Sequence, residues 1–427
     1  MSSELFERLE SNVRSYCRSF PTVFKTAENA ILTDETGAPY IDFLSGAGSL
    51  NYGHNNPAIR DALIQYLLER GVVHSLDLYT TAKRSFLEAF SRVILEPRQL
   101  DYKLQFTGPT GTNAVEAALK IARKATGRSN VAAFTRGFHG MTLGALAATA
   151  NGSKRKGAGV PLSDIAYLPY DGYFGESIDT LQLIEDLYDD PSSGYEPPAA
   201  FLVETVQGEG GLACASPSWL QGLAALAKRL GALLIVDDIQ AGCGRTGRFF
   251  SFERMGVVPD IVCLSKSLGG MGLPLAVVLL RPEFDLWEPG EHNGTFRGNN
   301  LAFVAATAAL SFWEDRAFLK RIESNCEAAD RQLSSLVATV LPGQARLCGR
   351  GLMLGVAFRD PTRAAAVSQA AFERGVIAET CGPHDEVLKI LPPLTIEPEI
   401  LAEGISRIGR AAAEVSSRPL PHDAQAA

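Results

Sequence analysis

The feature that most constrains this chain is a set of short runs that are hydrophobic at successive positions. Most of the runs at 103–106, 131–135, 200–204, 232–237, 261–265 and 275–280 show no polar alternation. A strand with one face in water alternates, so unbroken runs predict strands covered on both faces by helices. Helix-period segments lie between them. In 113–126, Ala114, Ala118, Ile121 and Ala125 fall on one stripe. The segment 218–230 is introduced by Ser216-Pro217 and stopped by Gly231. Alternation of this kind over 57–310 predicts a large α/β domain with a mostly parallel sheet. Beyond it, 346–358 and 386–391 read as strands and 363–374 and 400–416 as helices, enough for a smaller α+β domain. Residues 1–56 contain a hairpin-like stretch at 30–43, turning at Asp34-Glu35-Thr36-Gly37. They are expected to pack with the small domain and an interface, which divides the chain into 1–56, 57–310 and 311–427. The tail after Arg418 is expected to fray.

A length of 427 residues agrees with two or three such units. The formal charge of −8 argues against nucleic acid, which needs a basic face. No apolar run approaches the roughly 20 residues of a membrane span. The first twenty residues mix acids with bases and contain no apolar stretch, so no secretory signal is expected and the setting is read as cytoplasmic. Seven cysteines are scattered without a CxxC pair, which suggests reduced thiols and neither a disulfide framework nor a metal site.

Glycines gather at the strand ends, where each cluster has a bland and a chemical reading. Thr107 to Ala114 runs from a strand into a helix, and Gly111 and Thr112 would either cap that helix or bind an anion there. Asp237 ends a fully apolar strand, so it needs a cation or strong donors, which a helix N-terminus could also supply. Lys266 follows another apolar strand. It either snorkels to the surface or is buried, and burial favours the neutral amine that attacks carbonyls. Gly242 to Gly247 matches GxGxxG, but Asp238 to Ala241 separate it from the strand and no helical period follows, so a dinucleotide site is rejected. Together the remaining clusters ask for one ligand with a phosphate, a basic ring nitrogen and an aldehyde. Pyridoxal 5′-phosphate has all three.

Over nearly its whole length the sequence resembles the class III aminotransferases of fold-type I. The motifs are Thr110-Gly111-Thr112-Asn113-Ala114, Phe138-His139-Gly140, Glu204 to Gly210, Asp237 to Gly247, Ser265-Lys266 with Gly269-Gly270, and Gly294-Thr295-Phe296. The resemblance implies that Lys266 bonds the cofactor aldehyde and Asp237 pairs the ring nitrogen. Gln240 would contact the ring hydroxyl, Phe138 would stack on the ring, and His139 and Glu204 would complete the site. Gly111 and Thr112 would hold the phosphate, with Thr295 lent by the partner subunit of a homodimer or larger even-numbered assembly. Lys389 stands where many members have an arginine that alternates between a substrate carboxylate and the glutamate matching Glu209; lysine keeps the charge and loses the fork. Arg297 replaces a usual glycine and is read as a substrate carboxylate contact or an interfacial ion pair. The stretches SYCRSFPTVF, VVHSLDLYTTAKRSF and EHNGTFRGNN resemble the diaminobutyrate–2-oxoglutarate branch, especially its ectoine-pathway type. That branch implies amino transfer between L-glutamate and L-aspartate 4-semialdehyde. Activities on ornithine or 4-aminobutyrate remain alternatives, as do a racemase or decarboxylase on the same fold.

Overall fold

The computed structural model describes residues 4–417; the tail beyond Arg418 lies outside them. Near the N-terminus, β1 (Phe24–Glu28), β2 (Ile31–Asp34) and β3 (Pro39–Asp42) form an antiparallel meander. The expected hairpin turn is held by Asp34, whose Oδ1 accepts from the Thr36 and Ala38 amides at 2.9 Å each.

Seven strands build the central sheet: β4 (Lys103–Phe106), β5 (Val131–Phe134), β6 (Ile165–Leu168), β7 (Ala200–Val203), β8 (Leu233–Asp237), β9 (Ile261–Leu264) and β10 (Val277–Leu280). Their spatial order is β4-β10-β9-β8-β7-β5-β6. The pairs β6/β5, β5/β7, β7/β8 and β8/β9 are parallel, and β10 runs against both its neighbours. Every residue of β5, β7, β8, β9 and β10 is buried, as their unbroken apolar runs require. Strand β6 was not foreseen. It lies at the edge of the sheet and only Leu168 is fully buried, so its hydrophobic signal is weak.

Helix signals hold where capping chemistry is explicit. The helix Pro217–Leu230 begins after Ser216, whose hydroxyl accepts from the Trp219 amide, and ends at Gly231 with φ 62°. The helix Gly111–Thr126 likewise ends at left-handed Gly127 and buries Ala114, Ala118 and Ile121 against the sheet.

After residue 310 come the long helix Arg316–Val340 and five further strands. These are β11 (Ala345–Arg350), β12 (Met353–Phe358), β13 (Val376–Ile377), β14 (Thr380–Cys381) and β15 (Val387–Ile390). One expectation needs correction: 346–358 is a hairpin and not a single strand, with Ala345 opposite Phe358 and Arg350 opposite Met353. The reversal uses Gly351 at φ 69°, where a Cβ would meet the Thr246 backbone carbonyl carbon at 2.5 Å. The helices Pro361–Phe372 and Pro398–Ser417 complete this part.

The two chain ends share one core. Strand β13 pairs in parallel with β3, Val376 opposite Ile41. Phe43, fully buried just after β3, packs on Gly404 of the last helix, where a Cβ would collide with its ring. Among the described residues no helix is long and apolar enough to cross a membrane.

Gly404→Ala is therefore expected to lower stability by about 1–3 kcal/mol through overpacking. Adding Phe43→Leu should recover part of that loss. Urea unfolding of the two variants measures both effects.

Candidate active site

Five chain segments deliver polar groups to the carboxyl ends of strands that run in one direction. In open α/β sheets ligands bind in the crevice at those ends. A cavity of about 160 Å³ opens there, and its walls include Gly111, Thr112, Phe138, Glu209, Asp237 and Lys266. His139, Glu204 and Gln240 line it as well.

At one end of the cavity stands the start of the helix Gly111–Thr126. Its N-cap residue, Thr110, makes no side-chain capping bond to the helix, so the first amides stay available to an anion. The Thr112 hydroxyl lies 2.6 Å from that of Thr142. Gly140 is obligatory behind it: its φ is 134°, and a Cβ there would strike Thr112.

Asp237 lies deeper. Its Oδ2 is 2.7 Å from His139 Nδ1, and its Oδ1 accepts from the Ile239 amide at 3.1 Å. The partner of this strand-end acid is thus a histidine, with no helix N-terminus involved. Burial pulls His139 down, but the hydrogen bond and charge of Asp237 outweigh it and raise its pKa overall. Glu204 accepts from the Phe138 and Gly208 amides at 3.0 and 3.1 Å. Full burial still pushes its carboxyl to about 7. Asp238, one residue beyond Asp237, is also pushed to about 7 by burial; one oxygen accepts from the Ser251 amide and the other has no partner.

Lys266 follows β9 with φ 49°, a left-handed conformation that is costly for a residue with a Cβ. Its amine donates to the Ala47 carbonyl at 2.9 Å, and Gln240 Nε2 donates to the same oxygen at 3.1 Å. Burial lowers the Lys266 pKa; Glu209 opposes that and Lys389 adds to it, leaving it below the usual lysine value. Gln240 Oε1 is buried, unpartnered and on the cavity wall.

Behind this wall Lys389 is fully buried on β15 between two carboxylates, Glu209 at 2.8 Å and Glu379 at 2.9 Å. Its amine also donates to the Gly208 carbonyl at 3.4 Å. Burial alone would lower the Lys389 pKa, yet the charges of Glu209 and Glu379 raise it well above the ordinary value. Glu209 is pushed up by burial and pulled further down by Lys389 and Lys266, to about 2. Glu379 was missed at the level of sequence; the signal was an acid in the apolar run from Val376 to Cys381.

Thr295 and Arg297 do not line this cavity. Thr295 is exposed at a loop beside exposed Phe296, and Arg297 pairs with Asp77 of the same chain. Among the described residues no cluster of three or more His, Cys, Asp or Glu side chains could hold a metal.

A lysine, an acid braced by histidine, a glutamine with a free acceptor and an uncapped helix start fit a phosphorylated pyridine aldehyde. The class III aminotransferase family model matches residues 14–412. The chain belongs to that family. It is 56% identical over 404 residues to a diaminobutyrate–2-oxoglutarate transaminase of Halalkalibacterium halodurans, covering 95% of each chain. It is also 57% identical to one of Nocardia farcinica, covering 94% of this chain and 92% of that one. Among solved structures, an ornithine aminotransferase of Toxoplasma gondii superposes with a TM-score of 0.82 at 28% identity, over 96% and 94% of the two chains. An aminotransferase of Bacillus anthracis shares the fold with a TM-score of 0.85 at 23% identity, over 97% and 98%.

Two outcomes follow for this class III protein. Lys389→Met leaves buried Glu379 facing Glu209 without a cation, and should cost about 3–5 kcal/mol. Adding Glu379→Leu should restore most of that, as urea unfolding would show. Asp238 has a raised folded pKa, so its stabilising protonated form is present below its ordinary value of about 3.9 and lost as pH rises through the folded one. Thermal stability should therefore fall between pH 4 and 7 by a smaller amount in Asp238→Asn than in the native chain, with Glu204 supplying the remaining slope.

Proposed function

We propose that this chain is a pyridoxal-phosphate-dependent aminotransferase moving an amino group between L-glutamate and L-aspartate 4-semialdehyde, giving L-2,4-diaminobutyrate and 2-oxoglutarate. The observation that carries the reading is one cavity lined by Lys266, Asp237, Gln240 and an uncapped helix start, in a chain more than half identical to diaminobutyrate–2-oxoglutarate transaminases over nearly their full length.

Gly111 and Thr112 would hold the phosphate, Phe138 and Ile239 would flank the ring, and Gln240 would offer its unpartnered acceptor to the ring hydroxyl. The chemistry such a group supplies when bound is an aldehyde for amines to condense with and a pyridinium ring that withdraws electrons. Asp237, held by His139, would face the ring nitrogen and favour a proton on it. The Lys266 amine, its pKa lowered by burial, would take a proton from the substrate carbon and return it to the carbon of the former aldehyde, two atoms away. Glutamate carries a carboxylate beside its reacting carbon, whereas the reacting end of diaminobutyrate carries none. Glu209 is the mobile partner that answers this difference: its side chain is a third exposed, while that of Lys389 is fully buried. When Glu209 withdraws, one Lys389 N–H is freed for the glutamate carboxylate.

We also read the division 1–56, 57–310 and 311–427 as a large cofactor domain and a small domain joined by the chain's first segment, a reading supported by the β3/β13 pairing. The assembly is read as a homodimer. Val72, Val73, Leu76, Leu78, Tyr79 and Phe296 leave apolar surface exposed near the Thr295 loop, and monomers seldom expose such patches. Thr295 then completes the partner's phosphate site, and Arg297 lies beside that interface. The sequence resemblance supports a cytoplasmic enzyme of the ectoine-pathway type.

Purified protein should be yellow with bound pyridoxal phosphate and form one 2-oxoglutarate per diaminobutyrate from glutamate and aspartate semialdehyde. Lys266→Ala should lose the visible band of the lysine-bound cofactor and at least about a hundredfold in kcat. Faster turnover of ornithine or 4-aminobutyrate than of diaminobutyrate would move the assignment elsewhere in the family.

A further inference from the structure

The turn formed by Ser45, Gly46, Ala47 and Gly48 has φ values of 47°, 57°, 56° and 82°, four successive residues in the left-handed region. Ser45 and Ala47 carry side chains, so each is strained in this conformation. Lys266, facing the turn, is left-handed as well. Strain of this kind persists only where neighbouring contacts hold it.

Asp42 Oδ1 anchors the entry to the turn, accepting from the Leu44 and Ser45 amides at 2.9 and 2.8 Å, and a second anchor holds its exit. Ser267, next to Lys266, is buried; its hydroxyl donates to the Gly48 carbonyl at 2.8 Å and accepts from the Asn51 amide at 3.1 Å. The turn thus pinned presents the Ala47 carbonyl to the Lys266 amine at 2.9 Å. Gln240 Nε2 reaches the same oxygen from the other side at 3.1 Å. The turn meets the Lys266–Ser267 step at two hydrogen bonds and Asn51, just after it, adds a third, although more than two hundred residues of chain separate them.

We propose that Ser267 is a positioning residue for Lys266: its hydroxyl fixes the left-handed turn so that the Ala47 carbonyl receives the free Lys266 amine and orients it for proton transfer. This rests on Lys266 being the reactive amine of the proposed transaminase. A carbonyl acceptor takes one N–H and turns the nitrogen's remaining valences toward the cavity. It also favours the charged amine. The charged groups acting on that amine from the surrounding elements are Glu209, Lys389, Glu379 and Asp237, and none of them is altered by changing Ser267.

The test uses the full-length chain, loaded and stripped of cofactor. In Ser267→Ala, pyridoxal phosphate should bind and show the native visible band, while kcat of the glutamate half-reaction falls by about tenfold. In the stripped protein, the pH midpoint for labelling Lys266 with trinitrobenzenesulfonate should shift down by about half a unit to one unit. Ser267→Thr, which keeps the hydroxyl, should restore both. Unchanged half-reaction rate and labelling midpoint in Ser267→Ala would overturn the proposal. Should Ser267→Ala not fold, an unchanged midpoint in Ser267→Cys, which keeps the size but replaces the hydroxyl by a weak donor, overturns it alone. If Lys266→Ala transaminates normally, the underlying reading of Lys266 fails instead, and that outcome is distinct from both.

Discussion

An ammonium group taken from water into a protein interior loses several kcal/mol of hydration unless carboxylates or carbonyls replace it. Lys266 sits at such a point, just beyond the fully buried strand β9, with a backbone carbonyl as its direct acceptor and Glu209 as its strongest favourable charge. Compensation is kept incomplete, and the pKa lies below the lysine norm for that reason. The groups arranged around it are consistent with this requirement. Asp237 spends its contacts on His139 and the Ile239 amide. Glu209 is divided between Lys389 and Gln240. Among the described residues no carboxylate hydrogen-bonds the amine directly, so its charge is only partly balanced and its pKa lies below the usual lysine value.

That balance depends on segments distant in sequence meeting at one edge of the sheet. Parallel strands bring Glu204 and Asp237 to the same level at the ends of β7 and β8, with Lys266 three residues past the position opposite Asp237 on β9. The turn at 45–48 arrives from the N-terminal meander, and Glu379 and Lys389 arrive on β14 and β15 or beside them. The β3/β13 pairing and the packing of Phe43 on Gly404 join these two outlying segments to each other before either meets the large sheet. A shift of the small unit would therefore move the Ala47 carbonyl and Lys389 together.

Much of the fold was legible because the decisive interactions are local. Unbroken apolar runs mark strands with two covered faces, and Ser216-Pro217 and Gly231 mark a helix by capping chemistry alone. The same locality explains the failures. Strand β6 has its main partner on one side only and a diluted apolar signal. The run 346–358 hides a reversal because an apolar half follows an alternating one without a polar break, and only Gly349 and Gly351, at φ 93° and 69°, betray the turn. At the site, Lys266, Asp237 and Gln240 could be named from strand-end position and resemblance. Glu379, Ala47 and Ser267 could not, since their importance comes from what stands opposite them: a lysine ten residues along the chain for Glu379, and partners more than two hundred residues away for the turn.

Lysine in place of arginine at position 389 makes sense only together with Glu379. An arginine offers five N–H groups in a planar fork, so it can grip two carboxylates bidentately; a lysine offers three protons from one point. Here two hydrogen bonds go to Glu209 and the Gly208 carbonyl, and Glu379 stands 2.9 Å away as a second counter-charge. Glu379 is buried beside β14 and is the fixed partner, while Glu209 is more exposed. Once Glu209 withdraws, Lys389 is still neutralised, and no bare cation is left in the interior, where it would cost several kcal/mol. In the proposed reaction an incoming carboxylate would meet a compensated ion pair through a single N–H, a weaker grip than a free guanidinium would provide. In the proposed reaction only one of the two amino donors brings a carboxylate to this point. A lightly held anion and a cheaply reclosed Glu209 suit a site that must accept both in turn.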